Sequence, residues 1–247
     1  MLLAIDIGNT NIAFGIFSGG DKIKHAFNIP TGNYTLNKLR RSLRQFKMDN
    51  AIICSVVPKV SRKIEKDLSI FLGRQPYIVG KHIRVPIKNL YLNPQAVGQD
   101  RLVNAYAGIK LYGAPLVVVD FGTAVTFDAI SKRKEYLGGM ILPGLGISLE
   151  ALNQRTALLP KIKLEEPKTF IGRDTKDSML SGVIYGFSSL TDSLIARLKD
   201  KLGQRTKAIG TGGNINLIAK YCRKLEAKDI NLTLKGLNML FLHEKNT

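Results

Sequence analysis

At 247 residues the chain can bury a full core, as one domain or as two halves of roughly 115 to 130 residues each. An apolar fraction of 45% and a mean hydropathy of +0.01 exclude long disorder, and no run approaches the ~18 to 20 apolar residues of a membrane span. The net charge of +18 points toward nucleic acid or small anions, yet the basic residues are spread along the chain and no basic arm stands apart. No basic region or small-residue cleavage site flanks Leu2 to Ile5, so a cytoplasmic protein is expected. Cys54 and Cys222 have neither a metal nor a redox spacing and read as buried thiols.

The chain opens with four apolar residues, Leu2 to Ile5, that run into Asp6 and a polar turn, Gly8-Asn9-Thr10-Asn11, before a second apolar run from Ile12 to Phe17. This predicts a strand, a tight turn and an antiparallel strand. Such a turn presents N–H groups and Asn and Thr side chains to phosphate oxygens, and Asp6, itself an anion, suits a phosphate-bound Mg²⁺. An ordinary hairpin braced by its Asn side chain, with no ligand, fits the same residues. Lys22 to Ile29 predicts a third strand, and Asn37 to Met48 an amphipathic helix whose Lys and Arg form its wet face. Ala51 to Val57 has the length and β-branching of a buried parallel strand. A helix over Val60 to Leu72 and a short strand at Tyr77 to Val79 complete one α/β lobe.

Pro86 to Asp100 breaks the regularity with two prolines and ends in Gly98-Gln99-Asp100-Arg101, from which a helix over Leu102 to Leu111 departs. Asp100 and Arg101 therefore sit near a helix start, where N–H groups face outward, and a plain capping role for Asp100 fits equally. Pro115 to Asp120 then repeats the opening plan. A-I-D-I-G-N-T-N-I-A-F and V-V-D-F-G-T-A-V-T-F-D share a hydrophobic strand, Asp, an apolar residue, Gly and a second strand. An internal repeat of this unit predicts two halves of one fold, 1–114 and 115–247, with their loops facing each other. Tyr136 to Gly146 carries four glycines, read either as backbone passing close to a ligand or as a structural turn. A helix at Ser148 to Gln154, an exposed loop at Thr156 to Phe170, and a long helix from Ser178 to Arg197 follow. Ala208 to Asn214 is a further apolar run into a glycine-rich turn, and the tail reads as a short strand and a helix over Ile230 to Leu242.

Two such hairpins and a late T-G-G turn resemble the acetate and sugar kinase, Hsp70 and actin superfamily. Within it the motifs are similar to type III pantothenate kinase, also known as the Bvg accessory factor family. They are D-I-G-N-T at Asp6 to Thr10, Y-L-N-P at Tyr91 to Pro94, G-Q-D-R at Gly98 to Arg101, D-F-G-T-A at Asp120 to Ala124, G-G-M-I-L-P-G at Gly138 to Gly144, T-A-L-L-P at Thr156 to Pro160 and T-G-G at Thr211 to Gly213. The resemblance implies two ribonuclease-H-like (actin-like ATPase) lobes, α/β in class, with an interlobe nucleotide cleft. It implies ATP phosphates on Asp6, Ile7, Gly8, Asn9, Thr10, Asn11, Ile12, Ala13 and Thr123, with Mg²⁺ near Asp6 directly or through water. It further implies Asp100 as general base toward the primary hydroxyl of pantothenate, and Tyr91, Gly98, Gln99, Asp100, Arg101 and Thr175 around that substrate. Asp120 would hold a monovalent cation, K⁺ or NH₄⁺, and the enzyme would be a homodimer that phosphorylates pantothenate in the first step of coenzyme A synthesis. One departure is Asp174, where the family more often has Asn before the threonine. Two competing expectations stand beside this one: a nucleic-acid-binding accessory factor, motivated by the charge, and a kinase for another small alcohol or acid.

Overall fold

The computed structural model describes residues 1–246. In chain order the elements are β1 (Leu2–Ile7), β2 (Asn11–Phe17), β3 (Ile23–Pro30), α1 (Leu36–Leu43), β4 (Asn50–Ser55), α2 (Pro58–Leu72), β5 (Tyr77–Ile78), β6 (Lys88–Asn89) and α3 (Gln99–Tyr112). There follow β7 (Leu116–Phe121), β8 (Ala124–Ile130), β9 (Glu135–Pro143), α4 (Leu145–Arg155) and α5 (Thr175–Leu202). The chain closes with β10 (Lys207–Thr211), α6 (Ile215–Ile218), β11 (Ala227–Lys228) and α7 (Leu232–Asn246). It divides into two compact units. One comprises Met1–Ile87, Leu92–Ala107 and the segment from Leu232 onward; the other comprises Lys88–Tyr91 and Gly108–Asn231.

The first unit holds a sheet of order β3-β2-β1-β4-β5, antiparallel across β3, β2 and β1 and parallel from β1 through β4 to β5. A short polar turn suffices for the β1–β2 hairpin, whereas the parallel step from β1 to β4 needs a crossover, which α1 supplies. β1 and β4 are apolar almost throughout because both sheet faces are covered. One face packs against Leu39, Leu43, Ile64 and Leu68 of α1 and α2, and the other against Val103, Leu234, Leu237 and Leu240 of α3 and α7. The two-halves reading places α7 with residues 115–247, yet α7 packs against β1, β2 and β4. It is also tied to α3, where the Thr233 hydroxyl donates to Asn104 Oδ1 at 2.7 Å.

The second unit repeats the plan. Its sheet runs β11-β10-β7-β8-β9-β6, with β7, β8 and β9 antiparallel and β10 and β11 parallel to β7. β1 and β7 even share one burial sequence, four buried residues, a half-buried aspartate and a buried residue. The glycine-rich Tyr136 to Gly146 is mainly strand β9, which carries Gly138 and Gly139 and pairs with β8 through one register shift at Ala129/Ile130, while Gly144 and Gly146 lie at the start of α4. β6 extends this sheet by pairing Lys88 with Glu135 and Asn89 with Tyr136. The predicted helix at 37–48 stops at Leu43, and Phe46 and Met48 pack on the core from beyond it. Cys222 lies just after a 3-10 turn, Ala219–Tyr221, rather than in a helix.

The stretch 156–170 has no regular structure but is not loose. Asp177 accepts from the Lys168 N–H at 2.8 Å and from the Thr169 hydroxyl at 2.9 Å, and Leu159, Ile162 and Leu164 pack on the core. Among the described residues α5 alone is long and apolar enough to cross a membrane. Met179, Leu180, Val183, Ile184 and Ile195 are buried in the second unit's core, as in a core helix.

Candidate active site

Hydrophobic strands that end in a carboxylate and a tight turn set the first group of residues. β1 delivers Asp6, half-buried, opposite Ala13 of β2 and Cys54 of β4. The turn closes with the Gly8 N–H on the Asn11 carbonyl at 3.0 Å, and Asn9, Thr10 and Asn11 are exposed. Ile7 and Ile12 anchor the two arms in the core. The turn is thus open to a phosphate-sized anion.

Asp100 belongs to the same unit. It lies in the first turn of α3, with its Oδ1 accepting the Arg101 N–H at 2.9 Å, while the Arg101 N–H also reaches the Gly98 carbonyl at 3.1 Å. It is one residue inside the helix, and its side chain takes a backbone N–H of the first turn. Its carboxyl leans over Gly98 so closely that a side chain there would collide with Oδ1. Burial raises the Asp100 pKa above the ordinary aspartate value, and the Arg101 N–H and guanidinium pull it partly back. Arg101 is itself buried.

Cys54 reports how Asp6 and Asp100 stand to one another. The thiol is fully buried on β4, and burial pushes its pKa well up, with the negative charges of Asp6 and then Asp100 adding to the rise. Both carboxylates, ninety-four positions apart, therefore act on one thiol at one end of the first sheet. This pairing is a property of the fold and has no local sequence signal.

In the second unit, Asp120 is the penultimate residue of β7 and pairs with Thr126 of β8 and Thr211 of β10. The Gly212 backbone folds over it with φ +94, and a Cβ at 212 would lie 2.3 Å from Asp120 Oδ1 and 2.7 Å from the Phe121 backbone. The Asn214 N–H donates to the Phe121 carbonyl at 3.0 Å, which binds the late glycine-rich turn to the β7 turn. Thr123 is exposed at that turn. Tyr91 is placed by β6: its N–H donates to Asn89 Oδ1 at 3.0 Å, the Leu90 N–H donates to the Tyr136 carbonyl at 2.9 Å, and Lys88 pairs with Glu135 at 2.8 Å. Thr175 opens α5 behind the cap Asp174, which accepts the Asp177 N–H at 2.7 Å. An open cavity of about 600 Å³ lies there, lined by Leu159, Gly172, Arg173, Asp174, Thr175 and Ser178 among others.

The profile of the type III pantothenate kinase family matches residues 2–197. The chain is also 38% identical over 256 residues to a type III pantothenate kinase of Moorella thermoacetica, covering 100% of both chains. The type III pantothenate kinase of Finegoldia magna is 42% identical over 259 residues, covering 100% of this chain and 98% of its own. The chain belongs to the type III pantothenate kinase family. Solved structures extend the likeness in fold alone. An activator of 2-hydroxyisocaproyl-CoA dehydratase from Clostridium difficile, with bound ADPNP, gives a TM-score of 0.57 at 9% identity over 100% of this chain and 97% of its own. Component A of the (R)-2-hydroxyglutaryl-CoA dehydratase of Acidaminococcus fermentans gives 0.57 at 13% identity, covering 99% and 98%. The two-lobe, ribonuclease-H-like fold expected for a type III pantothenate kinase is therefore the fold of this chain, and the strand order of each unit is its signature.

For a type III pantothenate kinase the oxygen-rich character of these sites matters. Among the described residues no group of three or more His, Cys, Asp or Glu side chains is placed to hold a metal ion. A divalent ion here would rest on one carboxylate, phosphate oxygens and water, which is the habit of Mg²⁺ rather than of Zn²⁺. Asp6, beside the exposed turn, fits that mode. Residues missed by the sequence reading include Thr31, whose bonds to the Gly8–Thr10 turn come from a segment twenty residues away, and Lys88 and Glu135, which set the β6–β9 pairing.

Proposed function

We propose that this protein transfers the γ-phosphoryl group of ATP to the primary hydroxyl of pantothenate, the first step of coenzyme A synthesis. Full-length identity of 38% and 42% to relatives named for this activity carries the reading. The same relatives lend nothing to a nucleic-acid-binding factor or to a kinase for another alcohol.

Phosphoryl transfer needs held phosphates, charge compensation and an oriented nucleophile. In this reading the Asp6–Ala13 turn grips the nucleotide phosphates and Thr123 adds a hydroxyl. Asp6 holds Mg²⁺, which when bound neutralises charge on the phosphates. Asp100 accepts the hydroxyl proton as the oxygen attacks phosphorus, and its elevated pKa makes it a better base than an exposed aspartate. Gly98, Gln99 and Arg101 line the acceptor, with the Arg101 guanidinium suited to the pantothenate carboxylate. Tyr91 and Thr175 contact the same substrate. Asp120 takes K⁺ or NH₄⁺, and the enzyme works as a cytoplasmic homodimer.

The test is ATP consumption with pantothenate, with and without K⁺. Turnover that needs pantothenate and rises with K⁺ or NH₄⁺ is expected; turnover with another alcohol and none with pantothenate would overturn the reading. A second measurement concerns Asp174. Asn caps a helix as well as Asp does, so Asp174→Asn should leave stability within about 0.5 kcal/mol. Removing one exposed negative charge beside Thr175 should lower the KM for the anionic substrate by about 2- to 5-fold. An unchanged KM would detach Asp174 from the substrate.

A further inference from the structure

We infer that Thr31 is a positioning residue for the phosphate turn: it clamps both ends of Gly8–Thr10 and thereby aims the turn's N–H groups. The inference rests on the assignment of that turn to ATP. Thr31 opens the 3-10 turn Thr31–Asn33 just after β3, on the far side of β2 from β1. Its hydroxyl donates to the Gly8 carbonyl at 2.7 Å, and its N–H donates to the Thr10 carbonyl at 3.0 Å. One residue thus takes two of the three carbonyls of the turn.

Peptide planarity turns those two bonds into a statement about donors. In a trans peptide the C=O and the following N–H point in opposite directions. Fixing the Gly8 and Thr10 carbonyls on Thr31 directs the Asn9 and Asn11 N–H groups away from it. Rotating either peptide to turn its N–H elsewhere would break a bond to Thr31. A three-residue connection with Asn9 and Thr10 exposed would otherwise sample several peptide orientations, and a phosphate would have to select one. Thr31 is in turn held by its own segment. The Tyr34 N–H returns to the Thr31 carbonyl at 3.4 Å, and the Tyr34 side chain is buried in the core that Ile12, Phe14 and Leu39 share. The clamp is therefore anchored on the core rather than on solvent-facing chain.

The experiment compares Thr31→Val, which keeps the shape and loses the hydroxyl, with Thr31→Ser, which keeps the hydroxyl. Steady-state KM for ATP and for pantothenate are measured on the full chain, with binding of Mg-ATP followed by calorimetry and folding by thermal melt. Loss of one side-chain hydrogen bond predicts a rise of about 2- to 12-fold in KM and Kd for ATP in Thr31→Val. The pantothenate KM should stay within about 2-fold of the wild type, and Thr31→Ser should recover most of the loss. Equal ATP binding by wild type and Thr31→Val would overturn the clamp alone, as would a Ser variant no better than Val or equal rises in both KM values. A wild-type protein that binds no ATP would overturn the nucleotide assignment and the clamp with it. Should Thr31→Val fail to fold, Thr31→Ser and Thr31→Ala carry the comparison, with Ala expected to lose ATP affinity and Ser to keep it.

Discussion

Asp100→Asn lowers kcat by about 10²- to 10⁴-fold, the usual weight of a general base, while circular dichroism and the melting profile show an intact fold. Asn keeps the size of the side chain and an oxygen for the Arg101 N–H, so the structural bond survives while the proton acceptor is lost. A folded Asp100→Asn protein with near-normal turnover would remove Asp100 from the role. The same substitution should also raise stability near neutral pH. Burial raises the Asp100 pKa in the folded protein, so the folded state binds its proton more tightly than the unfolded chain does. Stability from this group is therefore present below the unfolded value and is lost as pH rises through the folded one. At neutral pH the wild-type carboxylate is a buried charge that Asn does not carry. Turnover should show the complementary trend, falling in acid at an apparent pKa above the ordinary aspartate value.

Gly212→Ala should damage the second unit severely. With φ +94 the residue sits where L side chains pay strain, and the added methyl would meet Asp120 Oδ1 and the Phe121 backbone. The Phe121 main chain cannot yield freely, because its carbonyl takes the Asn214 N–H and β7 is the central strand between β8 and β10. Strain and overpacking together should cost about 2 to 4 kcal/mol, read as a lowered denaturation midpoint. Any activity that remains should respond less to K⁺, since the displaced group is Asp120, the ligand proposed above for that ion. A melting profile like the wild type's would show that the turn has room which its geometry denies.

The hairpin repeat was legible because it is written in contiguous residues. Apolar strand, aspartate and glycine turn recur at Leu2–Ala13 and Leu116–Val125, and the two strands bury the same positions. The parallel strand β4 was legible from its unbroken apolar run. The glycine-rich 136–146 segment gave no strand signal because its glycines read as a close backbone approach or a turn, whereas pairing with β8 on one side and β6 on the other makes 135–143 a strand. β6 itself is two residues long and exists only through β9, so no local pattern could announce it. Of the site, single residues could be named from motifs, but their company could not. Nothing near Cys54 in sequence indicates that it pairs with Asp6 across strands and feels the charge of Asp100, and nothing near Thr31 indicates Gly8.

The packing of α7 has a consequence for how the chain is made. A ribosome releases β1 and β4 early, with the Leu2, Ala4 and Ile52 face of the sheet covered only by Val103 and Tyr106 of α3 until Leu234, Leu237, Leu240 and Phe241 emerge to complete it. The second unit, continuous from Gly108 to Asn231 apart from β6, can finish before the first. The nascent protein therefore matures out of order, and its earliest-made sheet is the last to be sealed. Until then that apolar face is a binding surface for chaperones and a hazard for self-association, so the interval between synthesis of β4 and of α7 is when this protein most needs protection.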